Sequence, residues 1–254
     1  MSRFPTDWLR LREPYDHAAR SPALAARFAD AVGPTPRLID LGCGTGSNLR
    51  YMAPRLPAGQ SWLLVDHDPA LLAQARRALP DTDIRVQALD LAHALPDLGT
   101  CTGITAAALF DLASATWLDR LARWCRGRPV LIALTFDGRL SWQPPDDADD
   151  AIRASFLAHQ RTDKGFGPAL GADAARSFAR RLEADGHRVA IASSDWRLGP
   201  ADAPLLAATL EGIVGATAEV DRPSEAWVAL RRRQLAAGQL RLTVGHVDLL
   251  ALPT

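Results

Sequence analysis

The sequence predicts an α/β protein with a mostly parallel seven-stranded sheet, helices on both faces and an antiparallel strand at the end. Short apolar runs alternate with helical segments through the first half of the chain, and this alternation is typical of parallel βαβ units. The 254 residues are 48% apolar and 23% charged, as in an ordinary globular domain with a sizeable core. We therefore interpret residues 1–254 as a single domain.

The first half contains five predicted strands and the helices between them. The strands are short apolar runs at residues 37–41, 61–66, 84–89, 103–109 and 129–136. The helices are predicted to begin where residues that favour helix N-termini precede an apolar or alanine-rich run, at Ser21-Pro22, about Ser47, Asp68-Pro69 and Ser114. Residues 35–136 are therefore predicted to form the repeating core of the sheet.

The regular alternation ends after Phe136. Residues 137–150 are polar and contain two prolines, which predicts a loop. A helix follows at 151–160, and a later apolar stripe predicts another. The remaining predicted elements are a strand at 187–193, two helices within 200–238 and a final strand at 239–252. We expect residues 137–185 and 197–238 to be helical insertions that form a cap over the sheet.

Composition and charge argue against several classes of protein. The 29 basic and 29 acidic residues give a net charge of zero, whereas a nucleic-acid-binding protein usually has a basic surplus. No apolar run approaches the roughly 20 residues of a membrane helix, and residues 1–16 contain charges where a secretory signal needs an apolar stretch. We expect a cytoplasmic protein without membrane or nucleic-acid partners. The cysteines, at positions 43, 101 and 125, have no metal-binding spacing, which predicts free thiols and no bound metal.

A glycine-rich segment lies between the first predicted strand and the next helix. Residues 39–48 read IDLGCGTGSN, and glycines there allow a tight turn and close approach of a ligand to the backbone. Asp66 ends the second strand, 20 residues after Gly46, where a carboxylate can accept the hydroxyls of a ribose. Asp90 ends the third strand, within reach of an adenine amino group. The three features are predicted to meet at the carboxyl edge of the sheet.

These motifs, DLGCGTGSN, VDHD and ALDLA, resemble those of the class I S-adenosylmethionine-dependent methyltransferases, which have a Rossmann-like fold. The resemblance covers residues 35–136 and makes them the expected cofactor-binding core, with S-adenosyl-L-methionine as the cofactor. It implies that the loop lies under the methionine part, that Asp66 holds the ribose, and that His67, Asp90 and Leu91 contact the adenine. Arg20 is expected to pair with the cofactor carboxylate. The loop residues expected to contribute are Asp40, Gly42, Cys43, Gly44, Gly46 and Asn48.

Other classes stay open at this point. The NAD(P) dehydrogenases need a GxGxxG fingerprint, and its third glycine position is Ser47 here. Asp90 also has no role in a dehydrogenase. We expect methyl transfer to a small-molecule acceptor, because the charge is neutral and the insertions suit a cap. The alternatives are an RNA or protein methyltransferase, a catalytically silent S-adenosylmethionine-binding protein and, less favoured, an NAD-dependent oxidoreductase.

In this family the acceptor pocket lies over the ends of strands four and five, so the residues around it are candidates. We predict His159 as a catalytic base because histidine titrates near neutral pH, and Asp111, after strand four, as a second catalytic candidate. The loop after residue 159 contains glycines that favour a mobile lid. Predicted substrate contacts are Tyr15, Arg139, Asp163, Lys164, Phe166 and His246. The arginine run 231–233 is interpreted as a solvated helix face.

Overall fold

The centre of the computed structural model, which describes residues 5–254, is one sheet of eight strands. The strands are β1 (Arg37–Leu41), β2 (Ser61–Asp66), β3 (Asp83–Ala88), β4 (Gly103–Ala107), β5 (Val130–Gln143), β6 (His187–Ser193), β7 (Trp196–Leu198) and β8 (Arg241–Pro253). Their order is β3-β2-β1-β4-β5-β8-β6, and β7 pairs with β8. The pairs among β1 to β5 are parallel, and β8 runs antiparallel to β5, β6 and β7. The predicted α/β, Rossmann-like fold is confirmed.

Helices cover the sheet and its extension. Within residues 5–254 they are α1 (Thr6–Ala19), α2 (Pro22–Ala31), α3 (Ser47–Met52), α4 (Pro69–Ala75), α5 (Ala115–Trp124), α6 (Asp149–Gln160), α7 (Ala174–Ala184), α8 (Ala203–Ala218) and α9 (Glu225–Ala236). Three predicted caps are present: the side chains of Ser21, Asp68 and Ser114 each accept a hydrogen bond from a backbone N–H in the first turn of their helix. These caps fix where the helices begin.

The structure corrects the prediction for residues 137–143. They continue β5 instead of forming a loop, and residues 140–143 pair with the first residues of β8. Leu140 and Trp142 are buried while their neighbours are exposed, which is the alternation of a half-buried strand. Two register shifts interrupt the pairing of β5 with β8. The short β7 beside β8 is the eighth strand, which the prediction lacked.

Three apolar clusters form the core. Two of them lie on the faces of the parallel sheet, and the third packs α6, α8 and α9 against the extended ends of β5 and β8. Phe178 and Leu182 of α7 belong to the first cluster, where the Phe178 ring meets Phe110 edge-on at 4.9 Å. The segment 137–185 therefore covers the sheet with α7 and the extension with α6. No helix within residues 5–254 is long and apolar enough to cross a membrane.

Candidate active site

The glycine loop after β1 turns back onto the end of β2. Gly42, Gly44 and Gly46 have φ angles of 65°, 53° and 83°, which side-chain-bearing residues rarely adopt. A Cβ at Gly42 would lie 3.2 Å from the side chain of Leu109, so the backbone packs too closely there for a larger residue. The Gly44 N–H donates to Asp66 Oδ2 at 2.9 Å, and this bond ties the loop to β2.

A buried polar chain supports the loop from below. Asp40 is fully buried and its Oδ1 accepts hydrogen bonds from Asn48 Nδ2 at 2.6 Å and from Thr105 Oγ1 at 2.9 Å. Arg20 Nη1 donates to Asn48 Oδ1 at 2.7 Å. Burial raises the pKa of the Asp40 carboxyl to about 6 despite these bonds. Asp40 Oδ2 and Arg20 Nε have no hydrogen-bond partner in the described part of the chain.

The loop encloses a cavity of about 130 Å³, here called the loop cavity, between the carboxyl edge of the sheet and α1. Predicted cofactor residues that line it are Arg20, Gly42, Cys43, Gly44, Asn48, Asp66, His67 and Leu91. Asp40 and Gly46 lie beneath it and shape the loop. Asp90 is exposed between the lining residues Leu89 and Leu91 and does not line the cavity itself. Its carboxylate accepts from the Ala92 N–H at 2.9 Å and contacts His93 Nδ1 at 3.0 Å.

A second cavity, of about 410 Å³, lies next to the first and is here called the cap cavity. Aromatic residues from α1, β5, α6 and β7 form much of its wall, namely Trp8, Phe136, Phe156 and Trp196. The predicted catalytic residues Asp111 and His159 both line it, as do the predicted substrate contacts Lys164 and His246. Phe166 lines the loop cavity instead.

Three of the predicted substrate contacts line neither cavity. Tyr15 packs against the apolar cluster of the cap and faces Asp202. Arg139 is exposed and forms ion pairs with Asp137 and Asp195, both at 2.6 Å. The Asp163 carboxylate accepts the N–H groups of residues 165 and 167, so it shapes its own loop. In each case a nearby partner occupies the polar group that was predicted to contact the acceptor.

The two cavities share four lining residues, which mark where they meet: Arg12, Ala108, Leu112 and Leu134. Ala108 and Leu134 have φ angles of 50° and 56°, the left-handed conformation that favours glycine. Leu134 lies at a register shift of β5, and its N–H donates to the buried Asp248 carboxylate at 2.9 Å. Strained backbone of this kind is concentrated at functional sites.

Four titratable groups of the cap cavity have shifted pKa values, and one of them is Lys164, whose pKa burial lowers. Burial raises the pKa of Asp111 to about 6, against the opposing charge of Arg12. Burial, followed by the charge of Lys164, lowers the pKa of His159. Burial also lowers the pKa of His246 to about 3, so this imidazole is neutral near pH 7. A carboxyl that titrates near neutrality is suited to accept a proton from an acceptor.

Sequence reasoning chose Tyr15 from α1, but other residues of this helix line the cavities. Leu9, Arg12, Asp16 and His17 line the loop cavity, and Trp8 and Arg12 line the cap cavity. The Arg12 guanidinium donates to Asp16 at 2.8 and 3.2 Å and lies 4.8 Å from the centre of the Trp196 ring. Trp8, Arg12 and Asp16 are spaced four residues apart, a pattern that places them on one helix face and was available from the sequence.

Known proteins are similar to this chain over part of its length. A family model described as a methyltransferase domain matches residues 38–127. The chain is 38% identical over 134 residues to the biotin biosynthesis bifunctional protein BioCD of Bordetella avium, covering 50% of this chain and 27% of that protein. It is 31% identical over 146 residues to the trans-aconitate 2-methyltransferase of Afipia carboxidovorans, covering 57% of this chain and 49% of that protein. The chain thus spans about a quarter to a half of the length of these curated relatives.

Solved structures share the fold across the whole chain. An S-adenosylmethionine-dependent methyltransferase of Geobacter sulfurreducens, in complex with S-adenosyl-L-homocysteine, has a TM-score of 0.51 at 18% identity and covers 100% of both chains. The YcgJ protein of Bacillus subtilis has a TM-score of 0.54 at 13% identity and covers 91% of this chain and 97% of its own. At these identities the similarity is one of fold.

Proposed function

We propose that the protein transfers a methyl group from S-adenosylmethionine to a small molecule, on the premise that residues 38–127 match a family model described as a methyltransferase domain. The cofactor binds in the loop cavity and the acceptor binds in the cap cavity. The observation that supports this most directly is that the two cavities share Ala108, Leu112 and Leu134 at the carboxyl edge of the sheet. A methyl group transferred between neighbouring ligands needs such an opening.

The residues of the loop cavity fit the polar groups of this cofactor. Asp66 lies at the end of β2. Its Oδ2 accepts from the Gly44 N–H and keeps a further lone pair, whereas Oδ1 accepts from the Asp68 N–H and lies 3.2 Å from His67 Nδ1. In this proposal Asp66 accepts the ribose hydroxyls. Unpartnered buried polar atoms are uncommon in folded proteins, and Asp40 Oδ2, Arg20 Nε and His67 Nε2 surround this cavity. They favour a polar, charged ligand over an apolar one.

The bound cofactor supplies an activated methyl group on a sulfonium, and the protein aligns and deprotonates the acceptor. An acceptor that is a hydroxyl or an ammonium would also lose a proton when it takes the methyl group. We assign that proton to Asp111, which directly precedes Leu112 at the junction of the cavities. With a pKa of about 6, Asp111 is ionised near neutral pH and can accept it.

Isothermal titration calorimetry with S-adenosylhomocysteine tests the cofactor assignment without an acceptor. We expect the product to bind and NADH not to bind. The Asp66→Ala variant should lose about tenfold to a hundredfold in affinity, because hydrogen bonds to a charged group contribute roughly 1.5–3 kcal/mol each. The control is Asp83→Ala, an exposed aspartate on the neighbouring strand β3. Equal affinity for Asp66→Ala and Asp83→Ala, or binding of NADH alone, would contradict the proposal.

A further inference from the structure

We propose that the acceptor has an apolar body and a carboxylate, and that Lys164 and His159 bind this carboxylate. The inference rests on the proposed function, which assigns the acceptor to the cap cavity. It specifies the chemical class of the acceptor, which neither the family nor the geometry of the loop cavity determines.

The wall of the cap cavity selects for an apolar body. Phe136 and Phe156 meet edge-on with ring centres 5.6 Å apart, and Trp8 and Trp196 do so at 6.2 Å. All four rings line the cavity, so a ligand inside it contacts aromatic faces and edges from two pairs of side chains. Removal of apolar ligand surface from water then contributes to binding.

Lys164 is the only lysine in the sequence, and the charge of Glu219 acts on its ammonium without a salt bridge between the two. The Arg12 guanidinium is paired with Asp16 at 2.8 Å. Lys164 Nζ instead lies 3.0 Å from His159 Nε2, and in residues 5–254 no carboxylate oxygen forms a salt bridge with it. One unpaired ammonium in a partly enclosed apolar cavity suits one monoanion, because a dianionic phosphate usually requires more donors.

A carboxylate of the protein that does not line the cap cavity already contacts His159. Glu219 Oε2 lies 3.2 Å from His159 Nε2, at the end of α8, and the Glu219 side chain is 72% exposed. An ion pair with an exposed partner is weak, so the Glu219 side chain can leave His159 at a small cost in free energy. Glu219 therefore marks where a carboxylate oxygen sits, and a ligand carboxylate replaces it.

The position of this pair separates the anchor from the reacting atom. Lys164 and His159 line the cap cavity and not the loop cavity. Asp111 is next in sequence to Leu112, which lines both cavities. The carboxylate is thus an anchor, and a different atom of the acceptor faces the methyl donor. His159 acts here as a binding residue, unlike its predicted role as a base.

The test uses matched pairs of probes on the full chain. Calorimetry compares indole-3-acetate, cinnamate and geranate with their primary amides, with and without saturating S-adenosylhomocysteine, and phenyl phosphate is added as a phosphate probe. We expect at least one acid to bind about tenfold or more tightly than its amide, as a charge-assisted bond predicts. Lys164→Gln should remove this difference and leave the affinity for the amide unchanged.

Two further variants control for charge alone. Arg161→Gln removes the same charge three residues earlier in the chain, from a side chain that is exposed, paired with Asp173 and outside the cavity wall. It should keep the preference for the acid. Glu219→Gln should strengthen binding of the acid and not of the amide, because it removes the competing carboxylate.

The outcomes separate this inference from the proposed function. If the protein does not bind S-adenosylhomocysteine, the proposed function is contradicted. The carboxylate assignment is then judged from the titrations of acids and amides without S-adenosylhomocysteine. The carboxylate assignment is overturned if the amides bind as tightly as the acids, if no acid binds, if phenyl phosphate binds most tightly, or if Arg161→Gln acts like Lys164→Gln.

Discussion

Replacing Asp40 by asparagine should change how stability depends on pH. Asp40 is fully buried beneath the glycine loop, and burial raises its pKa from 3.8 to about 6. An asparagine keeps an oxygen that accepts from Asn48 Nδ2 and Thr105 Oγ1, and it removes the titration. The amide nitrogen that replaces Oδ2 adds an offset that is the same at every pH.

The sign follows from which state holds the proton. Between about pH 4 and pH 6 the folded protein keeps a proton on Asp40 and the unfolded chain has released it, so rising pH destabilises the native state over this range. At 1.36 kcal/mol per pKa unit, the whole pKa shift corresponds to about 3 kcal/mol of stability at low pH. This stability is lost as pH rises through the folded-state pKa of about 6, and stability then changes little above about pH 7. Roughly 1 kcal/mol of it falls between about pH 5 and about pH 7.

Urea unfolding at pH 5, 6 and 7 measures this difference directly. The free energy of unfolding of Asp40→Asn minus that of the wild type should rise by roughly 1 kcal/mol across the series, while groups common to both proteins cancel. Asp83→Asn, at an exposed aspartate, should follow the wild type. A difference that stays flat, or one that falls with pH, would refute the assignment of a buried carboxylate with a raised pKa.

Two further substitutions test backbone strain and burial of charge by the same urea assay. Ala108→Gly should leave stability unchanged or raise it by up to about 1 kcal/mol, because alanine is strained at a φ of 50°. Ala107→Gly, in the regular strand, should lower stability by about 1 kcal/mol. Equal losses for the two variants would contradict the strain at Ala108. Arg231→Met should cost about 3–5 kcal/mol, because it leaves Asp149 without the partner that a fully buried guanidinium provides. Arg232→Met, in an exposed ion pair, should cost much less, and similar losses for the two variants would contradict the buried pair.

The parts of the fold that were predictable are those determined by local sequence. Strands β1, β2 and β6 begin and end at the predicted residues, because each is an apolar run bounded by polar or glycine residues. The caps at Ser21, Asp68 and Ser114 depend on one side chain and the next turn of helix. Such features need no knowledge of what packs against them.

The missed features depend on partners far along the chain. Residues 137–143 are polar enough to predict a loop, and they form a strand because β8, a hundred residues later, pairs with them. Arg231 was interpreted as part of a solvated face, yet its side chain is fully buried between Trp142 and Trp227 and pairs with Asp149. A run of three arginines does not reveal which of them meets a buried carboxylate.

The same distinction separates the two cavities. The loop cavity is built from one contiguous motif and the ends of the next two strands, so its residues could be named from the sequence. The wall of the cap cavity comes from α1, β5, α6, β7, α8 and β8, and no short segment contains more than a few of its residues. Predicted contacts there were chosen by residue type, and Tyr15, Arg139 and Asp163 bond to nearer partners instead.

Helix α1 explains why the two cavities meet where they do. On one side His17 Nε2 lies 3.1 Å from Ser47 O, and Glu13 accepts from Arg50 at 2.6 Å, which fixes the helix to the start of α3. On the other side Trp196 Nε1 donates to Asp16 Oδ1 at 3.0 Å, which fixes it to β7. One rigid helix is thus held by both walls, and it places Arg12 at their junction. Because the same helix bounds both cavities, the alignment of the proposed cofactor and acceptor depends on the position of α1 as much as on the glycine loop.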